Sequence, residues 1–415
     1  MRTTGLVTAA KLALDSIRAH KLRSFLTLLG IIVGVASVIL VGAAIDGLGA
    51  YSIKITERTF GSESYLVAQI AAVGRLTSRQ LAEKQRRNKR IRPDDVAFLR
   101  EATGDRILYS PYQQRVEDIK GGSDVYEAGN LIGASYTLPE IRDVPVADGR
   151  FFTSTEEQMR APVAVIGEDI RIKLFPNVAP LGKTIRAGGE EFTVIGVLER
   201  QGSSFGRTLD NPVYIPATVY SKIYGTQTGM AVFGKPRPGS GLSMNDALDL
   251  TRTALRSHFK AEAGKDDNFD TLTPDSVRSF IDQVLGAISA VVVPVTSISL
   301  LVGGIVIMNI MLVSVTERTR EIGIRKSIGA RSNEILLQFL AESVILSLAG
   351  GVMGIVLGAV LAFAIGQGFG LTLRITPTYV ILSVFISTAV GVAAGLYPAR
   401  RAARMDPITA MRAEA

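Results

Sequence analysis

Charge disappears from four stretches of this chain. Residues 25–45, 284–315, 343–373 and 379–396 contain no Asp, Glu, Lys or Arg. A helix rises about 1.5 Å per residue, so about 20 apolar residues cross the ~30 Å hydrocarbon core of a bilayer. The pattern predicts membrane helices at 25–48, 284–315, 335–369 and 375–399, with a long polar and apolar mixture at 49–283 between the first and second. Pro294 falls inside the second run and predicts a kink there.

Within 49–283 the spacing changes from element to element. Residues 51–60 extend the first helix as a stalk, and 65–70 reads as a strand. Residues 93–101 read as a short helix, with Pro93 at its start and Asp94 and Asp95 in the first turn. Short alternating runs at 163–166 and 194–198 are strands, and 183–186 and 191–197 flank Ala187-Gly188-Gly189-Glu190 as a hairpin. Residues 246–259 have helical period, and 274–284 form a helix returning to the membrane. The domain is mixed α and β. Ahead of the first crossing, Leu6, Ala10, Leu14 and Ile17 recur at helical spacing among bases, so 1–24 reads as an amphipathic helix on the inner membrane surface. The first apolar run is longer than the core of a cleaved signal and lacks a clear cleavage site, so it reads as a retained anchor.

Composition and charge narrow the picture. The chain has 415 residues, 47% of them apolar, no cysteine, and a net charge of +8; its mean hydropathy is positive. The exported domain therefore stands without disulfides, and no thiolate metal site is available. Many of the bases sit beside the membrane runs, where retention on the cytoplasmic side and anionic lipid headgroups account for them, so nucleic acid is not expected as a partner. The bases of 1–24, 316–334 and 400–415 put these segments and both termini inside, which four crossings require. Residues 49–283 are then outside. Eight bases against Glu83 at 75–92 read as a solvated helix or loop.

Few motifs suggest chemistry. Gly182-Lys183-Thr184 ends like a phosphate-binding loop, but Asn177 stands where the first glycine belongs, and a strand follows. Gly202-Ser203-Ser204-Phe205-Gly206 fits a nucleophile elbow, with His258 as the one exported base; a loop is the simpler reading. His20 and His258 fall on opposite sides of the membrane. Glu342, near the cytoplasmic end of the third crossing, reads equally as a functional intramembrane acid or an interfacial one. Gly30 and Gly34, and Gly350, Gly354 and Gly358, recur every four residues and suit close helix packing. Between the second and third crossings, Thr316 to Arg331 carries five bases and two acids. As a helix it sets Glu321 four residues before Arg325 and leaves Ile322, Ile324 and Ile328 as an apolar strip for a contact.

That segment, T-E-R-T-R-E-I-G-I-R-K-S-I-G-A-R, resembles the intracellular loop of MacB-type and FtsX-like ABC transporter permeases. Residues 22–39 resemble the family's first membrane helix. Asp148-Gly149-Arg150-Phe151-Phe152, Val165-Ile166-Gly167, Leu181-Gly182-Lys183-Thr184-Ile185 and Phe192 to Val197 resemble, in order, its periplasmic core domain. The ending P-A-x-x-A-A-x-x-x-P-I-x-A-x-R at 398–412 is the family's too. The resemblance implies four membrane helices and a two-lobed extracytoplasmic α/β domain, its distal lobe at about 130–228.

It also implies a permease subunit of the bacterial inner membrane that works by mechanotransmission, exporting or extracting a substrate on the outer side. ATP and Mg would be bound by a separate ABC ATP-binding subunit, since this chain has no Walker motif, binds no cofactor of its own and starts directly at the membrane helix. That subunit would dock on 316–334 through Glu317, Arg318, Arg320, Glu321, Gly323, Arg325, Lys326, Gly329 and Arg331. The family implies a dimer with a second copy or a paralogous permease, and leaves open a periplasmic adaptor and outer-membrane channel. The alternative is an FtsX-like signalling scaffold that switches an extracytoplasmic cell-wall hydrolase.

Overall fold

A computed structural model describes residues 21–61, 63–204, 207–226, 229–262, 264–369 and 373–412. The amphipathic helix expected at 1–24 lies almost wholly outside them. The chain divides into two compact units, one holding residues up to Tyr51 and from Asp282 onward, the other Ser52–Ile281.

The first unit is helical. Its long helices are Lys21–Phe60, Pro274–Glu317, Ser332–Phe369 and Pro377–Ala403, and each contains a segment long and apolar enough to cross a membrane. The second runs unbroken through Pro294. Large side chains such as Phe363 and Phe385 are about 70% exposed, which suits faces turned to lipid. Inside, the helices meet through small residues. A Cβ added at Gly30 would stand 2.8 Å from Gly303 Cα, and one at Gly34 would meet the Leu300 side chain, so both glycines of the first helix face the second. Gly350, Gly354 and Gly358 of the third helix face the first: added Cβ atoms would stand 3.2 Å from Ile31 Cγ2, 2.8 Å from Ile32 O and 3.0 Å from Ala36 O.

The third and fourth helices interlock at the same four-residue step. Ser343 faces Gly395, Ser347 faces Gly391, and Gly351 faces Ser387. The Ser347 and Ser387 hydroxyls donate back to the carbonyls of Ser343 and Ser383, at 2.9 and 2.8 Å. Those bonds satisfy the hydroxyls and leave the helix surfaces smooth. At the other end of the fourth helix, the Thr376 hydroxyl donates to Asp46, and the Tyr379 hydroxyl lies 3.4 Å from the same carboxylate, tying the first helix to the fourth.

The second unit is built on one mixed sheet. Its strands are β1 (Tyr65–Ala68), β2 (Ile107–Gly121), β3 (Asp124–Ala134), β4 (Val146–Gly149), β5 (Val163–Ile166), β6 (Thr184–Ala187), β7 (Glu190–Leu198), β10 (Pro212–Pro216), β11 (Ala231–Pro236) and β12 (Asp270–Leu272). β8 (Ser203–Ser204) and β9 (Arg207–Thr208) form a separate two-stranded sheet. The order is β12-β1-β11-β2-β3-β10-β5-β7-β4, with β6 between β2 and β7. The β6–β7 turn uses Gly188 and Gly189 at φ of +59° and +85°, a left-handed pair that glycine adopts without strain.

Alternation along the strands fills the cores. Ile119, Leu131, Phe192, Val194, Val213 and Ile215 form one cluster. Tyr65, Leu99, Tyr109 and Leu255 form another, in which the Tyr65 and Tyr109 hydroxyls both lie 2.6 Å from Thr251 Oγ1. Burial pushes both phenols up from the ordinary range. Phe60, Leu138, Phe152 and Tyr214 belong to a third. Local signals set the helix ends: Thr77 with Gln80, Thr153 with Glu156 and Ser243 with Asp246 form capping boxes, which satisfy the first free amides.

The remaining motifs find structural places. Helix Ser78–Arg87, in the basic run, buries none of its residues; Lys84 pairs with Asp270 at 2.6 Å and Arg87 with Asp266 at 2.9 Å. Gly182, at φ +77°, opens the turn into β6. His258 is held by Asp95 Oδ1 at 2.7 Å and stacks on Phe98 with ring centroids 4.2 Å apart. Of the Gly202–Gly206 motif, Phe205 and Gly206 lie outside the described residues.

Candidate functional site

The charged segment between the second and third membrane helices folds as a helix of its own, Thr319–Ser327. Arg318 leaves helical geometry at φ −100°, ψ 16°, which separates it from the preceding helix. Gly329 ends it at φ +101°, a backbone state that a side chain would strain. The polar segment thus becomes a short rod with two sides.

One side is fastened to the end of the same chain. Ile322 and Gly323 are buried, and a Cβ at Gly323 would stand 2.8 Å from Ala410 Cβ in the short helix Pro407–Arg412. Lys326 Nζ donates to the Ala403 carbonyl at 2.6 Å and the Met405 carbonyl at 2.7 Å. The last carbonyls of the fourth membrane helix have no partner within it, so a cation there supplies hydrogen bonds and opposes the helix dipole. Arg318 reaches the buried Glu342 carboxylate, with Nη1 3.4 Å from both oxygens. Glu342 of the third membrane helix is therefore paired with the turn that precedes Thr319–Ser327.

The other side faces outward. Glu317, Arg320, Glu321, Arg325, Gly329 and Arg331 are exposed. Arg325 Nη1 donates to Gln338 Oε1 at 2.8 Å, and its Nη2 stands 4.0 Å from Glu321 Oε2. Ile324 is 44% exposed and Ile328 is 82% exposed. Both isoleucines therefore stand at the surface among charges.

Three of the residues expected to dock, Arg318, Gly323 and Lys326, also have partners inside the chain: Glu342 for the first and the carboxyl-terminal segment for the other two. The apolar strip is also divided. Ile322 is two residues from Ile324, about 200° around a helix, so one is buried and the other exposed. Ala410 carries no signal in the sequence beyond its place in the P-I-x-A-x-R ending.

Residues 24–249 match the model of the MacB-like periplasmic core domain, and residues 295–407 match the FtsX-like permease C-terminal model. The chain belongs to the MacB-like permease family. Its relatives include the macrolide export ATP-binding/permease protein MacB of Shewanella sp. (strain W3-18-1), 33% identical over 98% of this chain and 61% of that protein. The protein of the same name from Azoarcus sp. (strain BH72) is 34% identical over 99% of this chain and 60% of its own length. The chain thus spans about three-fifths of the length of these curated relatives. Among solved structures, the periplasmic region of MacB from Actinobacillus actinomycetemcomitans is similar, with a TM-score of 0.44 and 18% identity over 55% of this chain and 97% of that one. This MacB-like chain is a membrane protein with four long apolar helices among its described residues and a periplasmic-type α/β domain between the first and second of them. The FtsX-like match contains Thr319–Ser327 and the end of the fourth helix and stops before Ala410.

Proposed function

We propose that this chain is the permease subunit of an export machine. A separate ATP-hydrolysing subunit docks on the outward side of Thr319–Ser327, and its movement passes through the membrane helices to the extracytoplasmic domain, which exports or extracts a substrate there. The observation that carries this reading is the exposed Ile324 and Ile328 on a helix whose opposite side is fixed by Gly323, Lys326 and Arg318. A rod fixed on one side and apolar on the other can receive a push and pass it on. In this reading ATP and Mg belong to the partner, the chain itself is not an enzyme, and it works with a second copy or a paralogous permease. It lies in the bacterial inner membrane with both termini inside. The names of its relatives favour export; an adaptor and outer-membrane channel are the partners such export would add.

The test is co-purification of the tagged chain with the ABC-type ATPase encoded nearest to it, followed by ATP hydrolysis in nanodiscs. Reversal of the exposed pair, Glu321→Arg with Arg325→Glu, is expected to weaken the complex and lower hydrolysis while the extracytoplasmic domain stays folded. Unchanged association and hydrolysis would defeat the docking assignment. Hydrolysis that responds to the extracytoplasmic domain while no substrate moves would return the signalling reading.

A further inference from the structure

One face of the second long helix, Pro274–Glu317, is exposed with a regular spacing. The helix turns Leu285, Thr296, Leu300, Gly303 and Ile307 inward. About 100° around it from Leu285, Thr296 and Gly303, Ile288, Val295 and Val302 alternate with Val284, Val291, Ile298 and Ile305 at steps of four and three residues. All seven are 39–67% exposed. A sustained four-three repeat of apolar residues is the seam along which helices supercoil in a left-handed coiled coil. Every residue of this one is β-branched, whereas the exposed far side carries Ala290, Val293, Pro294 and Ser297.

The next step of the repeat is Asn309, which is exposed and whose side chain makes no hydrogen bond among the described residues. An amide turned to lipid is costly, because hydrocarbon offers it neither donor nor acceptor. The Asn309 amide of a second, parallel copy offers both, and a single Asn in such a seam also fixes register and strand number. The length of the helix points the same way. Its charge-free run, 284–315, has 32 residues and rises about 48 Å against ~30 Å of hydrocarbon, an excess that an ordinary tilt of about 20° does not absorb. The bases after Glu317 set one end at the membrane surface. The excess is then the segment from Val284 to Val295, whose exposed Val and Ile would otherwise face water. The exposed parts of the seven residues come to roughly 600 Å² per copy, so a pair would cover ~1,200 Å², enough for a stable interface.

We propose that this seam is where two copies of the chain meet, as parallel helices joined from Val284 to Asn309 with the two Asn309 amides bonded across the two-fold axis. The inference deepens the function proposed above by placing the second copy, and it rests on that reading only for the presence of such a partner. Pairing itself needs neither ATP nor a cargo.

The chain has no cysteine, so single cysteines report the contact directly. The full chain carrying Val291→Cys, Val295→Cys or Ile298→Cys is placed in liposomes of phosphatidylcholine and phosphatidylglycerol, oxidised with copper phenanthroline and run on a non-reducing gel. These three are expected to form disulfide-linked pairs at least about fivefold more than Ala290→Cys, Val293→Cys and Ser297→Cys, since a disulfide needs Cα atoms within about 7 Å. On dilution into more lipid, Asn309→Leu is expected to lower the Val295→Cys pair about threefold, and Asn309→Gln, which keeps the amide, to restore part of it. Equal cross-linking around the helix, or a maximum at the three far-side positions, would overturn the proposal, and an unaltered Val295→Cys pair in Asn309→Leu would overturn the bond between amides. Cross-links in cell membranes to a different permease, with none in the purified chain, would give the seam to a paralogue and overturn the pairing of like copies. Pairing along the seam by a chain that fails to couple to an ATPase would leave the interface standing and the export reading not.

Discussion

The two units of this chain are held together by opposite means. In the α/β unit, large apolar side chains fill the space between layers: Phe192, Leu131 and Ile119 are fully buried, and the hydrophobic effect drives their burial. In the helical unit the side chains at the closest approaches are nearly absent. Gly30 meets Gly303, and Ser343, Ser347 and Gly351 meet Gly395, Gly391 and Ser387. Lipid is as apolar as leucine, so helices in a membrane gain little by burying large side chains and much by close contact. The same substitution therefore has opposite meanings in the two units: removing volume harms one, and adding it harms the other.

The largest expected effect tests the first half of that contrast. Phe192→Ala should destabilise the α/β unit by about 3–5 kcal/mol, read as faster hydrogen exchange along β2, β3 and β7 in the full chain. Protection that stays unchanged would mean that the cluster around Phe192 is not its core. Gly391→Leu tests the second half. An added Cβ already stands 3.0 Å from Val344 Cα, a backbone neighbour that cannot rotate away, and overpacking of this kind costs about 1–3 kcal/mol or more. A lower unfolding temperature in detergent is expected, with hydrogen exchange in β2, β3 and β7 unaltered. A harmless Gly391→Leu would erase the contrast.

Much of this organisation is legible in the sequence, because it depends on neighbours along the chain. The gaps in charge mark the four helices, Gly188-Gly189 marks a hairpin turn, and Pro93 with Asp94 and Asp95 marks a helix start. What the sequence hides is which surfaces meet. Each of the third and fourth helices carries small residues at a four-residue step, but nothing in either says that Ser347 faces Gly391. The strand neighbours β1 and β11 are likewise far apart in the chain. The charged segment between the second and third membrane helices shows the limit most clearly. Its composition announces a contact helix, yet the inward turn of Gly323 and Lys326 depends on Ala403, Met405 and Ala410 at the far end of the chain.

Within the helical unit, inward and outward residues of 319–328 should separate in the same way. Lys326→Met leaves two carbonyls without their donor, a local loss of about 1–3 kcal/mol, and should speed tryptic cleavage at Arg404. Ile328→Ser should leave that cleavage unchanged, since exposed substitutions usually stay within about 0.5 kcal/mol, and should weaken capture of the ATPase instead. Faster cleavage in both variants would mean that the two sides of the helix are not distinct.

The smallest effect lies in the α/β unit and depends on charge instead of volume. Arg150 holds Glu156 with two bonds of 2.7 Å, and the Thr153 amide donates to the same carboxylate at 2.8 Å. The Arg150 guanidinium first, and the Thr153 bonds with it, bring the Glu156 carboxyl down to about 2, from 4.5 in the unfolded chain. A depressed carboxyl stabilises the folded state fully above its unfolded value and loses that contribution as pH falls from 4.5 toward 2. The pair is partly exposed, so its contribution is at most about 1 kcal/mol. Arg150→Met should raise the Glu156 carboxyl toward its ordinary range and shrink the loss of stability between pH 4.5 and 2, as followed by carboxyl carbon NMR of the full chain with labelled glutamate. A Glu156 titration unmoved by Arg150→Met would assign the depression to the Thr153 cap. Arg150 in the D-G-R-F-F motif would then have no electrostatic role in the α/β unit.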